Sequence, residues 1–119
     1  MHDEQHRTIA PDALPEMVIR YLSAHSARDT ATAVSVFTDD ATVTDDGTTY
    51  EGTAAITDWL DRSATEFTYT TRLTGAQYVD ATRCTVTQRL EGDFPGGVVD
   101  LHYRFTLRDD LVERLVIEV

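Results

Sequence analysis

Lysine is absent from this 119-residue chain: its ten basic residues are all arginine, set against 21 Asp and Glu. The resulting net charge of −11 repels phosphate backbones and anionic bilayers, which argues against nucleic acid and membranes as partners. With a single cysteine, Cys84, no internal disulfide is available. Its place in the alternation Cys84, Val86, Gln88, Leu90 marks a small residue buried on a strand rather than a reactive thiol. No apolar run approaches the ~18 residues that cross a bilayer, and Met1-His2-Asp3-Glu4-Gln5-His6-Arg7 lacks the apolar stretch of a secretion signal. The chain therefore reads as soluble and cytoplasmic. No Cys or His set has metal-ligand spacing, no glycine-rich loop follows a strand, and no serine sits in a nucleophile elbow. The expectation is a protein with no metal and no cofactor. His2 and His6 lie four apart and would share a metal only on a helix; two solvated histidines are the simpler reading. An acidic, lysine-free composition rich in Asp and Thr fits a salt-adapted (halophilic) source, where screening relieves self-repulsion. A high-GC genome that replaces lysine codons gives the same composition.

What is present fits one domain. Residues 1–11 are polar, carry no apolar period and end at Pro11, and they read as a flexible tail ahead of a single domain over 12–119. Asp12 is placed to cap a helix with Pro15 in its first turn, and Leu14, Met17, Val18, Tyr21, Leu22 and His25 recur at helical spacing. Asp29 or Thr30 starts a second helix through Ala33, Val34 and Phe37, ending near Asp39 and Asp40. Residues 41–44 read as a strand, Asp45-Asp46-Gly47 as a turn and residues 48–51 as the return. A helix with Ile56, Trp59 and Leu60 on one side follows and ends before Phe67. Everything after it is β: strands over 67–79, 82–91, 98–107 and 111–119, with a break at Phe94-Pro95-Gly96-Gly97 and a tight turn at Arg108-Asp109-Asp110. In the third of these strands Leu101, Tyr103, Phe105 and Leu107 share one face and Asp100, His102, Arg104 and Thr106 the other. Helices in front and hairpin-linked strands behind predict an α+β fold, a curved antiparallel sheet wrapped as a cone around a long N-terminal helix.

Within this frame Asp45 and Tyr21 form a candidate pair, a general base where a strand breaks into a turn and an oxyanion donor on the apolar side of the first helix. Asp45-Asp46-Gly47 is equally an ordinary turn sequence, and Tyr21 equally a core tyrosine whose hydroxyl reaches a backbone carbonyl. Trp59, Phe37, Phe67, Tyr69, Tyr103 and Phe105 are placed either to line a cavity or simply to fill the core. His25, one turn beyond Tyr21, either orients the phenol, closes the cavity mouth or packs as a partly buried histidine. His102, on the outward face, is read as an interface residue.

Several segments resemble, in order, the nuclear transport factor 2-like superfamily in its ketosteroid isomerase and SnoaL-like branch. These are Arg20-Tyr21-Leu22, the run from Phe37 through Val43 with Asp45 two residues on, Gly52-Thr53-Ala54-Ala55-Ile56 and His102-Tyr103-Arg104-Phe105. The resemblance covers nearly everything after the tail. It implies the cone-shaped cystatin-like fold, Asp45 as general base and Tyr21 as oxyanion donor. It also sets Trp59 near the ligand, with Phe37, Leu101, Tyr103, Phe105 and His25 as the further candidate contacts to a hydrophobic small molecule, and implies a homodimer formed through the exposed face of the sheet. The second oxyanion acid of the isomerases falls on Leu101 here, and its neighbour Asp100 belongs to the opposite face unless a bulge intervenes. Loss of one such donor costs about 10² to 10³ in rate. The expectation is cofactor-free proton transfer next to a carbonyl, with a non-catalytic ligand-binding or dimerisation module of the same fold as the alternative.

Overall fold

The computed structural model describes residues 7–8, 10, 13–66, 69–93 and 95–119, and in it helices lie against one curved, unclosed sheet. The first helix, α1 (Glu16–Ser26), buries Val18, Tyr21 and Ala24 at the spacing of one helical face. Pro15 precedes it in an extended conformation (φ −53°, ψ 144°) and gives no side-chain cap, so Pro15 stands just outside the first turn expected to contain it. Asp12, the expected cap, lies outside the described residues, as do His2, His6 and Pro11. α1 spans 11 residues, fewer than the 15 of α3 (Gly52–Glu66).

Asp29 caps the short α2 (Thr30–Ser35), accepting from the Thr32 backbone N–H at 3.2 Å and the Thr32 hydroxyl at 2.6 Å. This helix stops earlier than its sequence pattern predicts. Buried Val36 and Phe37 are drawn into the sheet instead: the Val112 N–H donates to the Val36 carbonyl at 2.7 Å, and Phe37 pairs with Val112. Strand β2 (Phe37–Asp45) therefore begins four residues before the expected 41, a case of tertiary pairing overriding helical spacing.

Asp46 and Gly47, both with positive φ (52° and 81°), turn β2 into β3 (Thr48–Glu51) with the handedness that suits a two-residue hairpin. After α3 come β4 (Tyr69–Asp80), β5 (Arg83–Gly92), β6 (Val98–Arg108) and β7 (Leu111–Glu118), close to the predicted strands. Phe67 and Phe94 lie outside the described residues. The pairing adds two features that local sequence does not carry. The short strand β1 (Arg7–Thr8), inside the expected tail, pairs with Tyr78 and Gln77, because an unpaired edge of β4 offers free backbone groups. The sheet, ordered β1-β4-β5-β6-β7-β2-β3, is also not wholly antiparallel: β2 and β7 run parallel, Val43 beside Leu115 and Asp45 beside Ile117. A parallel neighbour needs a long crossover, and α3 with the β4–β6 meander supplies it.

The cross-strand register assigns the inner face. Phe105 pairs with Cys84 and Leu115, and Tyr103 with Val86 and Ile117, all of them buried. Asp45 sits in the row of Ile117 and Tyr103. On the outer face Arg89 pairs with Asp100 at 2.9 Å, Thr87 with His102 at 3.0 Å, and Arg104 with Glu118. Among the described residues no helix is long and apolar enough to cross a membrane.

Leu115, fully buried where β7 meets β2 and β6, has no room to be replaced by a collapsed neighbour. Leu115→Ala is expected to cost about 2–5 kcal/mol in urea unfolding, and a loss below about 1 kcal/mol would contradict this packing. Burial also pushes the Cys84 thiol up to about 11. At pH 9.0, where an ordinary thiol is half ionised, the native thiol stays protonated. Alkylation by iodoacetamide should thus run at least roughly tenfold slower in the native than in the urea-unfolded chain, with equal rates as the contrary result.

Candidate functional site

The β2–β3 turn fixes the first component. Because Asp45 is the last residue of β2, its backbone is held on both sides, by Thr48 of β3 and Ile117 of β7, while its side chain stands at the end of the strand. From α3 the buried Trp59 reaches across and donates its indole N–H to Asp45 Oδ2 at 2.9 Å. Tyr50 stacks on Trp59 with ring centroids 6.1 Å apart, and the Arg62 guanidinium lies over the Tyr50 ring. The carboxylate is thus clamped at one oxygen by a rigid aromatic, and the other oxygen is left for a different partner.

Helix α1 supplies the second component. Tyr21 is fully buried, with its ring edge-on to Phe37 and Phe105 and stacked with His25, each centroid 5.7 Å away. Its hydroxyl has no hydrogen-bond partner among the described residues. A buried O–H in that condition costs about 1–3 kcal/mol relative to a satisfied one. Burial pushes the Tyr21 phenol well above the ordinary tyrosine value, and Tyr103, Tyr69 and the Asp45 carboxylate push it further. Tyr103 and Tyr69 are raised as well, chiefly by burial, with the Asp45 charge adding to both. At neutral pH all three phenols keep their protons and remain donors. His25 is lowered by burial, partly opposed by Asp45 and aided by Arg28, so its imidazole is neutral there. One carboxylate therefore acts electrically on Tyr21, His25, Tyr69 and Tyr103 together, although no direct hydrogen bond joins Asp45 to any of them among the described residues.

Leu101, half-buried, packs against the core on the inner face. Between Val98 and Thr106 the β5–β6 ladder runs without a register shift, so Asp100 faces outward, bound to Arg89, and cannot replace the missing acid. Directly across from Leu101, however, stands Gln88, 7% exposed on the inner face, with Leu73 on its other side. Among the described residues its carboxamide has no hydrogen-bond partner. Sequence reasoning passed over this residue; the available signal was one polar side chain in an otherwise apolar alternation. Phe67 lies outside the described residues. A cleft of about 350 Å³ opens between the end of α1 and the start of β4, lined by His25, Ser26, Arg28, Tyr69, Thr70 and Thr71. His25 and Tyr69 connect this cleft to the aromatic interior.

With that geometry in place, the chain can be compared with known proteins. The family model of the SnoaL-like domain matches residues 18–115. A candidate polyketide cyclase from Sinorhizobium meliloti is 32% identical, with a TM-score of 0.85 over 92% of this chain and 100% of that one. A protein of ketosteroid isomerase-like fold from Catenulispora acidiphila, crystallised with trimethylamine, shares 19% identity and a TM-score of 0.78 over 90% of this chain and 87% of its own. TerC, co-crystallised with polyporic acid, shares 18% identity and a TM-score of 0.75 over 87% of this chain and 88% of its own. No curated protein matches the sequence. The family match spans both helices that carry Tyr21 and Trp59, the strand that carries Asp45 and the strands that face them, and the chain belongs to the SnoaL-like family, within the ketosteroid isomerase-like fold.

Proposed function

We propose that the protein is a cofactor-free enzyme that moves a proton next to a carbonyl of a hydrophobic small molecule. The carrying observation is the buried Tyr21 hydroxyl, unpartnered among the described residues, in the core under the influence of one carboxylate. Asp45 takes a proton from the carbon beside the carbonyl, through the oxygen that Trp59 does not hold. The C–H electron pair moves into the adjoining bond and charge collects on the carbonyl oxygen, where the Tyr21 O–H donates to it. Gln88 supplies the second donor through its amide N–H, in place of the acid that Leu101 displaces. The enolate then either recovers the proton from Asp45 at another carbon, an isomerisation, or attacks a second carbonyl of the same molecule. In that cyclisation a carbon–carbon bond forms and the new alkoxide takes the Asp45 proton. Phe37, Phe105, Tyr103 and Leu101 serve as the apolar wall that excludes water, which strengthens each of these hydrogen bonds.

The kinship with a candidate polyketide cyclase, and the ligands crystallised with the more distant TerC and Catenulispora protein, support a small organic ligand. The homodimer is part of the same proposal, formed through the outer face of the sheet that carries His102. Sedimentation as a monomer at high salt would contradict it. Leu101, where the isomerases carry an acid, favours a second reading in which the chain binds its ligand without turning it over.

Solvent-deuterium exchange into a panel of enones and β-keto esters separates the two readings. We expect exchange with the wild-type chain, none with Asp45→Asn, and a loss of about 10² to 10³ with Tyr21→Phe. Gln88→Leu should lose roughly tenfold or more while retaining the thermal unfolding midpoint. Thermal stabilisation by these compounds without any exchange would establish the binding-only reading, and equal exchange by wild type and Asp45→Asn would refute the role of the base.

A further inference from the structure

The cleft at the end of α1 opens at the surface, with Ser26, Arg28 and Thr70 exposed and His25, Tyr69 and Thr71 half-buried. His25, Ser26, Arg28, Tyr69, Thr70 and Thr71 line its roughly 350 Å³, a volume large enough for part of a small organic molecule. Arg28 is the cation in this set. Arg28, exposed like Arg72 and Arg114, makes no ion pair with any described residue, whereas Arg20, Arg83, Arg89, Arg104 and Arg108 are paired. Its neighbour Asp29 makes no ion pair with it, and both Asp29 oxygens accept from Thr32 in capping α2.

Backbone conformation adds an independent observation. Arg28 has φ 59°, the left-handed position that follows the helix cap, with the Arg28 N–H donating to His25 O at 3.1 Å and the Asp29 N–H to Ala24 O at 2.8 Å. Glycine is the residue that suits this position without strain. Arg28 occupies it with an exposed side chain at the cleft wall. The Ser26 and Thr71 hydroxyls, without hydrogen-bond partners among the described residues, stand in the same lining.

Tyr21 stacks on His25, so the anion-attracting cleft and the proposed reaction centre share one wall. We infer that the α1–β4 cleft is a carboxylate subsite, in which Arg28 binds the acidic end of a substrate whose carbonyl lies at Tyr21. This rests on the proton-transfer reading above and narrows its substrate class to apolar keto acids, with the carbonyl several bonds from the acid group. A planar, two-oxygen anion suits the guanidinium fork, and the flanking hydroxyls complete its hydrogen bonds.

A matched pair of ligands tests this: 4-oxo-4-phenylbutanoate and its methyl ester, titrated against the intrinsic fluorescence of the sole tryptophan, Trp59. The acid should bind the wild-type chain roughly tenfold or more tightly than the ester, although the overall charge disfavours it. In Arg28→Gln that preference should vanish, with affinity for the ester unchanged; Arg28→Lys should keep part of it, as a point charge without the fork. Equal binding of acid and ester by wild type, or a preference that survives Arg28→Gln, overturns the subsite. Deuterium exchange into the ester, measured alongside, keeps the two ideas apart: ester exchange that depends on Asp45 without any acid preference removes the subsite alone, whereas no binding of either ligand removes both.

Discussion

The indole-to-carboxylate hydrogen bond between Trp59 and Asp45 is the contact on which the site depends. It joins the middle of α3 to the end of β2 through two residues 14 positions apart, and decides which way the acid points. Without it, a carboxylate next to the Asp46-Gly47 turn would be one more solvated turn residue in an acidic chain. The contact requires a buried donor that cannot itself be ionised, and tryptophan is suited to that, since its ring packs as a core residue while its N–H remains directed. Tyr50 behind the indole and the strand ladders on both sides of Asp45 leave little freedom at either end.

Around this contact the fold arranges groups of opposite character. The interior beside Asp45 contains phenols that burial keeps protonated and an imidazole that burial keeps neutral, so the single charge there meets donors and not competing charges. Among the described residues six other acids, Glu16, Asp40, Asp80, Asp100, Glu113 and Glu118, are paired with arginines on the outer face of the sheet and at the helix and strand ends. Those exposed pairs contribute little stability each. Their value is to divide the chain's excess of negative charge between a solvated shell and one inner position.

Much of this was legible in the sequence, for definite physical reasons. Period-two alternation in β4 to β7 and turn residues with accessible positive φ, such as Gly47 and Asp109, marked the strands closely. The apolar spacing of α1 placed Tyr21 on the buried side. Alternation in β6 likewise put Leu101, Tyr103 and Phe105 together and Asp100 away, and the unbroken β5–β6 register agrees. The failures are tertiary. Nothing local says that Phe37 leaves the helix, because its reason is a partner 75 residues later, Val112. The parallel pairing of β2 with β7 and the capture of Arg7 and Thr8 by β4 have the same origin. Gln88 and Arg28 were missed because their significance lies in what fails to pair with them, which only three dimensions reveal.

The central claim is that Tyr21 and Asp45 address one bound molecule. A crystal structure of the protein with an enone or phenol ligand tests it most directly. The account predicts the ligand oxygen within about 2.5–2.8 Å of the Tyr21 hydroxyl, with the Asp45 oxygen not held by Trp59 against the ligand's ring. A ligand bound elsewhere, or a Tyr21 hydroxyl donating to a backbone carbonyl while the ligand lies beyond its reach, would contradict it.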